Sequence, residues 1–424
     1  MKNKITIVVP VQDKQYAKTD YWTGTSYILH RNNIDIAKIG MNRAYTFRIY
    51  PNKNQEVIML KTLSVCRHLY NDALAERRNQ AELNRIKREF QVFPWGKPGW
   101  ISYEDQQNAL PASKTPVQKQ IHSQVLQNAL KRLDRSFQNF FRGYGYPRFK
   151  GRNRYNTFTY PQKGFELDGM NLWLSKIGTM RIFQHREMEG KVKMCTIKKD
   201  VDQWYAIFTV DIGKKVEKLP IKRKTGVDVG LESLLTLSNG ERIEPPEYYR
   251  KSEEKLSEEQ KKLSKKKLGS KNRNKQRIKV ARVHRKIRNQ RKDSNQKISH
   301  RLVEHNDYIL FEDLQIKNMV QNHCLAKSIM DAGWGQLIRF TAYKAEYAGK
   351  TIELVDPHWT SQTCLCGADV PKDLSVRIHV CPECGLILRR DHVSAILIGN
   401  KGAISVPTDC GDFTPVEMEP LLCR

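Results

Sequence analysis

In "AYTFRIYP", Tyr45, Phe47 and Ile49 alternate with polar neighbours, the period-two pattern of a half-buried strand, and Pro51 ends it. Asn52, with Gln55 three residues on, has the spacing of a capping box and starts a helix. That helix is expected to carry Val57, Leu60, Leu63, Tyr70 and Leu74 near one face. Residues 92–115 hold several Pro, Gly and Trp and read as a loop. A second helix places Leu126, Leu130, Leu133, Phe137 and Phe141 on one stripe and ends at Gly143, and the two stripes read as a helix-on-helix core. "GYPRFKGRNRYNTFTYP" then breaks the helical period, and short alternating runs follow in "MRIFQ", "KVKMCTIKK" and "WYAIFTVDI". Such a succession predicts a small barrel or sheet.

A basic linker, "KLPIKRK", leads into "TGVDVGLESLLTLSNGERIE", which reads as a buried strand and then a hairpin turning on Asn239-Gly240. Leu256 and Leu263 on one arm, and Val280, Val283 and Ile287 on the other, give residues 251–298 an apolar seam with Gly269-Ser270 between the arms, a helical hairpin. "DYILFEDL" is the next strand, "GWGQLIRFTAYKAEYAG" a helix and "KTIELVDP" another strand; a short apolar helix follows Asp391. Residues 1–40 have no clear period, and from about Pro407 the pattern is lost again.

At 424 residues the chain is longer than one core usually fills, so two to four domains are expected, of α/β class. Lys and Arg number 74 against 45 acids, a formal net charge of +29, which points to a polyanionic partner, most often nucleic acid. The hairpin alone holds 19 Lys and Arg against five acids, a net of +14, so a merely solvated face is a poor reading of it. Nine unevenly placed cysteines do not make a disulfide framework, and "ITIVVPV" is too short for a signal segment. With no apolar run of the roughly 20 residues a membrane span needs, the expectation is a soluble, cytoplasmic protein without a membrane partner, near the nucleoid in a bacterial or archaeal cell.

Three carboxylates stand where a carboxylate is costly or well aimed. Asp228 lies inside the apolar strand "GVDVG", Glu312 ends "YILFED", and Asp391 opens the last helix. Two strand ends and a helix start can meet at one edge of a mixed sheet and hold two divalent ions roughly 3.5–4 Å apart, one activating water and one stabilising the leaving oxygen of a phosphodiester. Hard oxygen ligands favour Mg²⁺ or Mn²⁺. Each acid also has an ordinary reading: a turn acceptor for Asp228, a surface acid for Glu312 or Asp313, and a helix N-cap for Asp391. Cys364 and Cys366 in "TCLCG", with Cys381 and Cys384 in "CPECG", can close a tetrahedral Zn²⁺ site, although C-x-C is one residue short of the usual first half. A redox pair is disfavoured because the thioredoxin-like context is missing.

Taken in order, "AYTFRIYP", "GYPRFKGR", "GVDVGLESLLTLSNG", "ILFEDL", "DPHWTSQTCLCG", "CPECG" and the acid beyond resemble the TnpB family, transposon-encoded RNA-guided nucleases that share their plan with compact type V CRISPR nucleases. The resemblance runs from about residue 43 to 400. It implies an RNase H-like (RuvC) nuclease domain over 222–406, with Asp228, Glu312 and Asp391 as catalytic Mg²⁺ ligands. The basic hairpin and a zinc-knuckle insertion at 360–388 would belong to that domain. It implies an N-terminal wedge β-barrel within 41–221, made of 43–50 and 144–215, with a helical recognition domain, 52–143, inserted in it. Residues 1–40 would be an extension of unknown role and 407–424 a flexible tail. The implied partners are a guide RNA and double-stranded target DNA, cut beside a short flanking motif, with a monomer favoured. Candidate nucleic-acid contacts are Ser123, Gln124, Arg148, Lys150, Arg152, Arg389 and Arg390, the last two equally able to form structural ion pairs. Val393 stands where the family's usual D-x-N-A-A run has Asn. Two other functions compete: an RNA-guided repressor that binds without cutting, which the intact acids disfavour, and a DDE-like transposase, which the barrel, knuckle and basic hairpin fit poorly.

Overall fold

A computed structural model describes residues 42–90, 99–213, 216–358, 360–373 and 376–404. The expected extension at 1–40 and tail at 407–424 lie outside the described residues. The chain divides into two compact units between Lys215 and Val216.

In the first unit β1 (Asn42–Tyr50) runs into α1 (Lys53–Glu89), and the capping box forms: the Asn52 side chain accepts from the Gln55 amide while the Gln55 side chain accepts from the Asn52 amide. Two helices follow, α2 (Tyr103–Ser113) and α3 (Pro116–Lys119), each with a capping box of its own, Ser102 with Asp105 and Thr115 with Gln118. α2 corrects the expectation of a loop over 92–115 at residues 103–113, while residues 92–98 lie outside the described residues. The caps satisfy the first-turn amides, Leu110 and Gln106 are buried, and Pro111 falls in the last turns of its helix. Then come α4 (Ser123–Phe141), β2 (Thr157–Tyr160), β3 (Phe165–Asp168), β4 (Asn171–Leu174), β5 (Gly178–Phe183), β6 (Lys191–Asp200) and β7 (Gln203–Asp211). The seven strands form one sheet in the order β2-β6-β7-β1-β5-β4-β3, with every neighbouring pair antiparallel. Tyr45, Phe47 and Ile49 are buried, as the alternation requires.

Two helical faces need correction. On α1 the buried arc is Met59, Leu63, Cys66, Tyr70, Ala73, Leu74 and Arg77, while Val57 and Leu60 are exposed. At about 100° per residue, Val57 lies some 200° round the helix from Met59, on the solvent side. On α4, Leu126, Leu130 and Leu133 are buried and Phe137 packs partly, but Phe141, in the last turn, is exposed.

The second unit opens with β8 (Lys224–Val229), β9 (Leu235–Leu237) and β10 (Arg242–Ile243); the β9–β10 hairpin turns at Asn239-Gly240, where Gly240 takes a positive φ of 86°. The basic hairpin is α5 (Glu253–Ser264) and α6 (Lys271–His305), the second arm running past the expected end. Leu256, Val280 and Ile287 are buried in its seam. Next are β11 (Tyr308–Glu312), α7 (Ile316–Met319), α8 (His323–Ala332), α9 (Trp334–Tyr347), β12 (Thr351–Val355), β13 (Ile378–Val380), β14 (Ile387–Arg389) and α10 (Arg390–Asn400). The main sheet has the order β10-β9-β8-β11-β12, antiparallel from β10 to β8 and parallel from β8 to β12. Among the described residues no helix is long and apolar enough to cross a membrane.

Candidate functional site

The parallel register of β8 and β11 pairs Tyr308 with Lys224 and Phe311 with Val227, so Asp228 and Glu312 follow as the next residues on adjacent strands, at the same edge. The third acid arrives with α10, which lies flat on β8. Gly226 makes that approach possible: a Cβ there would sit 2.0 Å from the Ala395 carbonyl oxygen and 2.3 Å from the Gly399 nitrogen. Asp391 is in the first turn of α10; the N-cap position belongs to Arg389, so the cap reading does not hold for Asp391.

The electrostatics agree with this placement. Burial, and then the charges of Glu312 and Asp391, push the Asp228 carboxyl well above its ordinary value, with Arg390 partly offsetting them. Burial also raises Glu312, while a hydrogen bond from Thr360 pulls the other way. Mutually repelling carboxylates are a poor arrangement by themselves and a good one around divalent cations. Around the acids stand groups that the sequence reading missed. The buried Thr360 hydroxyl donates to Glu312 and lies 2.9 Å from the Pro357 carbonyl oxygen. Lys401, just past α10, donates to the carbonyls of Asp356 (3.0 Å) and His358, fastening the same turn. His392 Nε2 lies 2.9 Å from the Ser238 carbonyl oxygen, tying the start of α10 to the hairpin turn. Only the position of Thr360 in "DPHWTSQTC", between an acid-bearing strand and the cysteines, hints at its role in the sequence.

Arg390 lies 3.7 Å from Asp391 and donates to the Asp373 carbonyl at 3.2 Å; Arg389 shares Glu232 with Arg377 and Arg242, at 3.9, 3.0 and 3.5 Å. Both arginines therefore have protein partners. Val393 is buried.

All four sulfurs of Cys364, Cys366, Cys381 and Cys384 lie within 4.8 Å of one another. Cys364 to Cys384 is 3.6 Å and Cys366 to Cys381 is 3.7 Å. A tetrahedron with metal–sulfur bonds of about 2.3 Å has edges of about 3.8 Å, so the donor set fits zinc. Gly367 and Gly385, each following a cysteine, take positive φ of 93° and 71° and turn the chain back. The Cys364 amide bonds to Ala368 and the Cys381 amide to Leu386, so the C-x-C half closes as tightly as the C-x-x-C half. The Cys384 amide donates to Cys381 Sγ and pulls that thiol down to about 6.

Of the remaining candidates, Ser123 Oγ accepts from Lys114 Nζ at 2.8 Å and Gln124 from the Lys163 amide at 3.2 Å. Arg148 and Arg152 are exposed, and Lys150 is half-buried beside Tyr70.

Comparison with known proteins gives a consistent set. Residues 207–323 match the OrfB_IS605 family, described as "Probable transposase". Residues 334–398 match the "Cas12f1-like, TNB domain", and residues 41–85 match a "Helix-turn-helix domain". Over 42–85 the structure has β1 and one unbroken stretch of α1. An Escherichia coli (strain K12) protein named "Putative RNA-guided DNA endonuclease InsQ" is 33% identical over 345 residues, 77% of this chain and 83% of the relative. A Streptomyces pristinaespiralis protein named "Putative RNA-guided DNA endonuclease" is 30% identical over 390 residues, 88% of this chain and 92% of the relative. The cryo-EM structure of a Cas12f1–sgRNA–target DNA complex is similar in fold, with a TM-score of 0.53 at 12% identity, covering 85% of this chain and 99% of that one.

Proposed function

The chain belongs to the TnpB family, related in fold to Cas12f1, and from that premise we propose that it is an RNA-guided, metal-dependent endonuclease that cuts double-stranded DNA beside a short flanking motif. The observation that carries the reading is that Asp228 and Glu312 stand on adjacent parallel strands and that Asp391, on the helix packed over β8, is near enough for its charge to be felt at Asp228, in a sheet whose order and strand directions suit an RNase H-like (RuvC) domain.

In this reading the three carboxylates hold Mg²⁺ or Mn²⁺. When bound, such ions supply an activated water and neutralise charge at the leaving oxygen of the phosphodiester. The work of the protein is to fix the ligands. The β8–β11 register sets Asp228 beside Glu312, Gly226 lets α10 bring in Asp391, and Thr360 orients Glu312. The four cysteines would hold one Zn²⁺ in a closed structural site, stiffening the segment that carries Thr360 at its start and Asp391 just beyond its end. Residues 43–50 and 144–215 would serve as the wedge domain and 52–143 as the recognition helices. Guide RNA pairing would choose the target, while the protein would read the flanking motif.

The test is reprogramming. A discrete RNA should co-purify and survive high-salt washing, and changing its terminal segment should move double-stranded cleavage to the new match in Mg²⁺. Cutting that proceeds without RNA, or that ignores a changed guide, would sink the guided reading. Joined rather than cut strands would favour strand transfer, and stable targeting without cutting would favour a repressor.

A further inference from the structure

A cavity of about 230 Å³ in the first unit is lined by Tyr70, Arg132, Ser136, Lys150, Arg154, Tyr155, Asn156 and Thr157. Among the described residues three cations line it and no carboxylate does. Asp134, on the same helix as Arg132, is paired with Arg77 instead. Gathering three positive charges around one hollow costs Coulomb energy unless an anion occupies it.

The walls are built. Arg132 is locked by bonds to the Thr157 carbonyl (2.7 Å), Thr157 Oγ1 (2.9 Å) and Thr159 Oγ1 (2.9 Å). Its guanidinium carbon also lies 5.6 Å from the centre of the Tyr155 ring. The backbone of Lys150 is clamped to α1: its amide donates to Asn71 at 2.8 Å, and its carbonyl accepts from Asn71 at 3.1 Å and Arg67 at 3.4 Å. Among the described residues the Lys150 ammonium meets only the Tyr70 ring, 5.5 Å away, and no carboxylate pairs with Arg154. The approach has the same character. Residues 142–156 hold five Lys and Arg and no acid, and Tyr144 and Phe149 in that stretch are exposed.

We infer that this cavity is an anion site for a backbone phosphate of the guide RNA in an unpaired stretch. Lys150 and Arg154 would take the non-bridging oxygens, and the exposed rings of Tyr144 and Phe149 in the same stretch would offer stacking for flanking bases. The site has room for a phosphate and its ribose. The inference rests on the RNA-guided reading, and the experiment separates the two.

Full-length protein is freed of nucleic acid, and its binding to the RNA that co-purifies with it is measured across salt concentrations, for wild type and for Lys150→Gln/Arg154→Gln. Both side chains are polar and neither is fully buried, so the double variant folds. Affinity should fall at least about tenfold, and the slope of log K against log salt should become shallower by about 0.7, the share of the one phosphate the cavity holds. Lys150→Arg should restore most of its share. Unchanged affinity and slope in the double variant would overturn the site. Because the proposed contacts are to phosphate, single-stranded DNA of the same sequence should lose affinity by a similar factor, and DNA binding left unchanged would overturn phosphate recognition. A second arm needs no RNA: inorganic phosphate at constant ionic strength should raise the melting temperature of wild type and not of the double variant. If no discrete RNA co-purifies, the guided reading fails, yet this arm still decides whether the cavity takes phosphate.

Discussion

At the scale of single residues, Asp228 is held at a cost to stability. Its folded pKa lies well above the ordinary 3.8, chiefly through burial and then through Glu312 and Asp391. The folded protein thus keeps that proton longer than the unfolded chain, and metal-free stability falls as pH rises from about 3.8 through the raised value. Asp228→Asn removes the penalty. Metal-free Asp228→Asn should therefore melt higher than wild type above that window, with the advantage vanishing as pH falls below it, while cleavage is lost. Melting curves across pH check this, and a variant that melts lower at neutral pH would contradict it. Thr360 acts through Glu312. Thr360→Val should cut cleavage by about 10–100-fold, the usual effect of losing a partner of a metal ligand, and should raise the Mg²⁺ concentration needed for half-maximal rate. Thr360→Ser should recover both. A rate loss with no change in Mg²⁺ dependence would leave Thr360 as a packing residue.

At the scale of elements, the four-cysteine segment is a small unit whose buried apolar cluster, among the described residues, is Cys364, Ala368, Val370 and Cys381 with Leu386 packed against them. Such a segment lacks the core to fold firmly by itself, so its shape should depend on metal. Purified protein should carry about one zinc per chain. Cys381→Ser should release it and lower cleavage indirectly, leaving the cores of the two units folded; elemental analysis and far-ultraviolet circular dichroism measure these. Active protein without zinc would refute the assignment. This segment also marks what the sequence makes legible. Both halves of the cysteine motif could be read from spacing, and the acids could be read because a carboxylate in "GVDVG" or at the end of "YILFED" breaks an apolar run. The sulfur geometry of C-x-C was not readable, since it depends on where Gly367 and Gly385 reverse the chain. Nor was Thr360, an ordinary residue until β11 and the turn after β12 are side by side. Helix α2 was hidden by the Pro, Gly and Trp around it, although its capping box, Ser102 with Asp105, was there to be read. The solvent side of α1 was misjudged because apolar residues at Val57 and Leu60 lie off the buried arc.

At the scale of the whole molecule, the charge is unevenly spread. Net +14 of the total +29 falls within residues 251–298, in a hairpin whose seam buries Leu256, Val280 and Ile287 while its basic side chains stay largely outside. The seam explains why α5 and α6 associate; it does not explain why residues 265–298, the loop between the arms and most of α6, carry 15 Lys and Arg against one acid. Like charges along a hairpin repel one another, and a polyanion relieves that repulsion by displacing counterions. Lys265, Lys266 and Lys267, all exposed, sit together between the two arms. Changing all three to Gln should weaken binding of single-stranded RNA and flatten its salt dependence by about 2, three contacts at about 0.7 each. Thermal stability should hold or rise slightly, because the substitutions remove repulsion and no buried contact. The slope is the decisive reading. A triple variant with the wild-type slope would mean that these lysines only keep the hairpin solvated, and the polyanion would have to be held elsewhere.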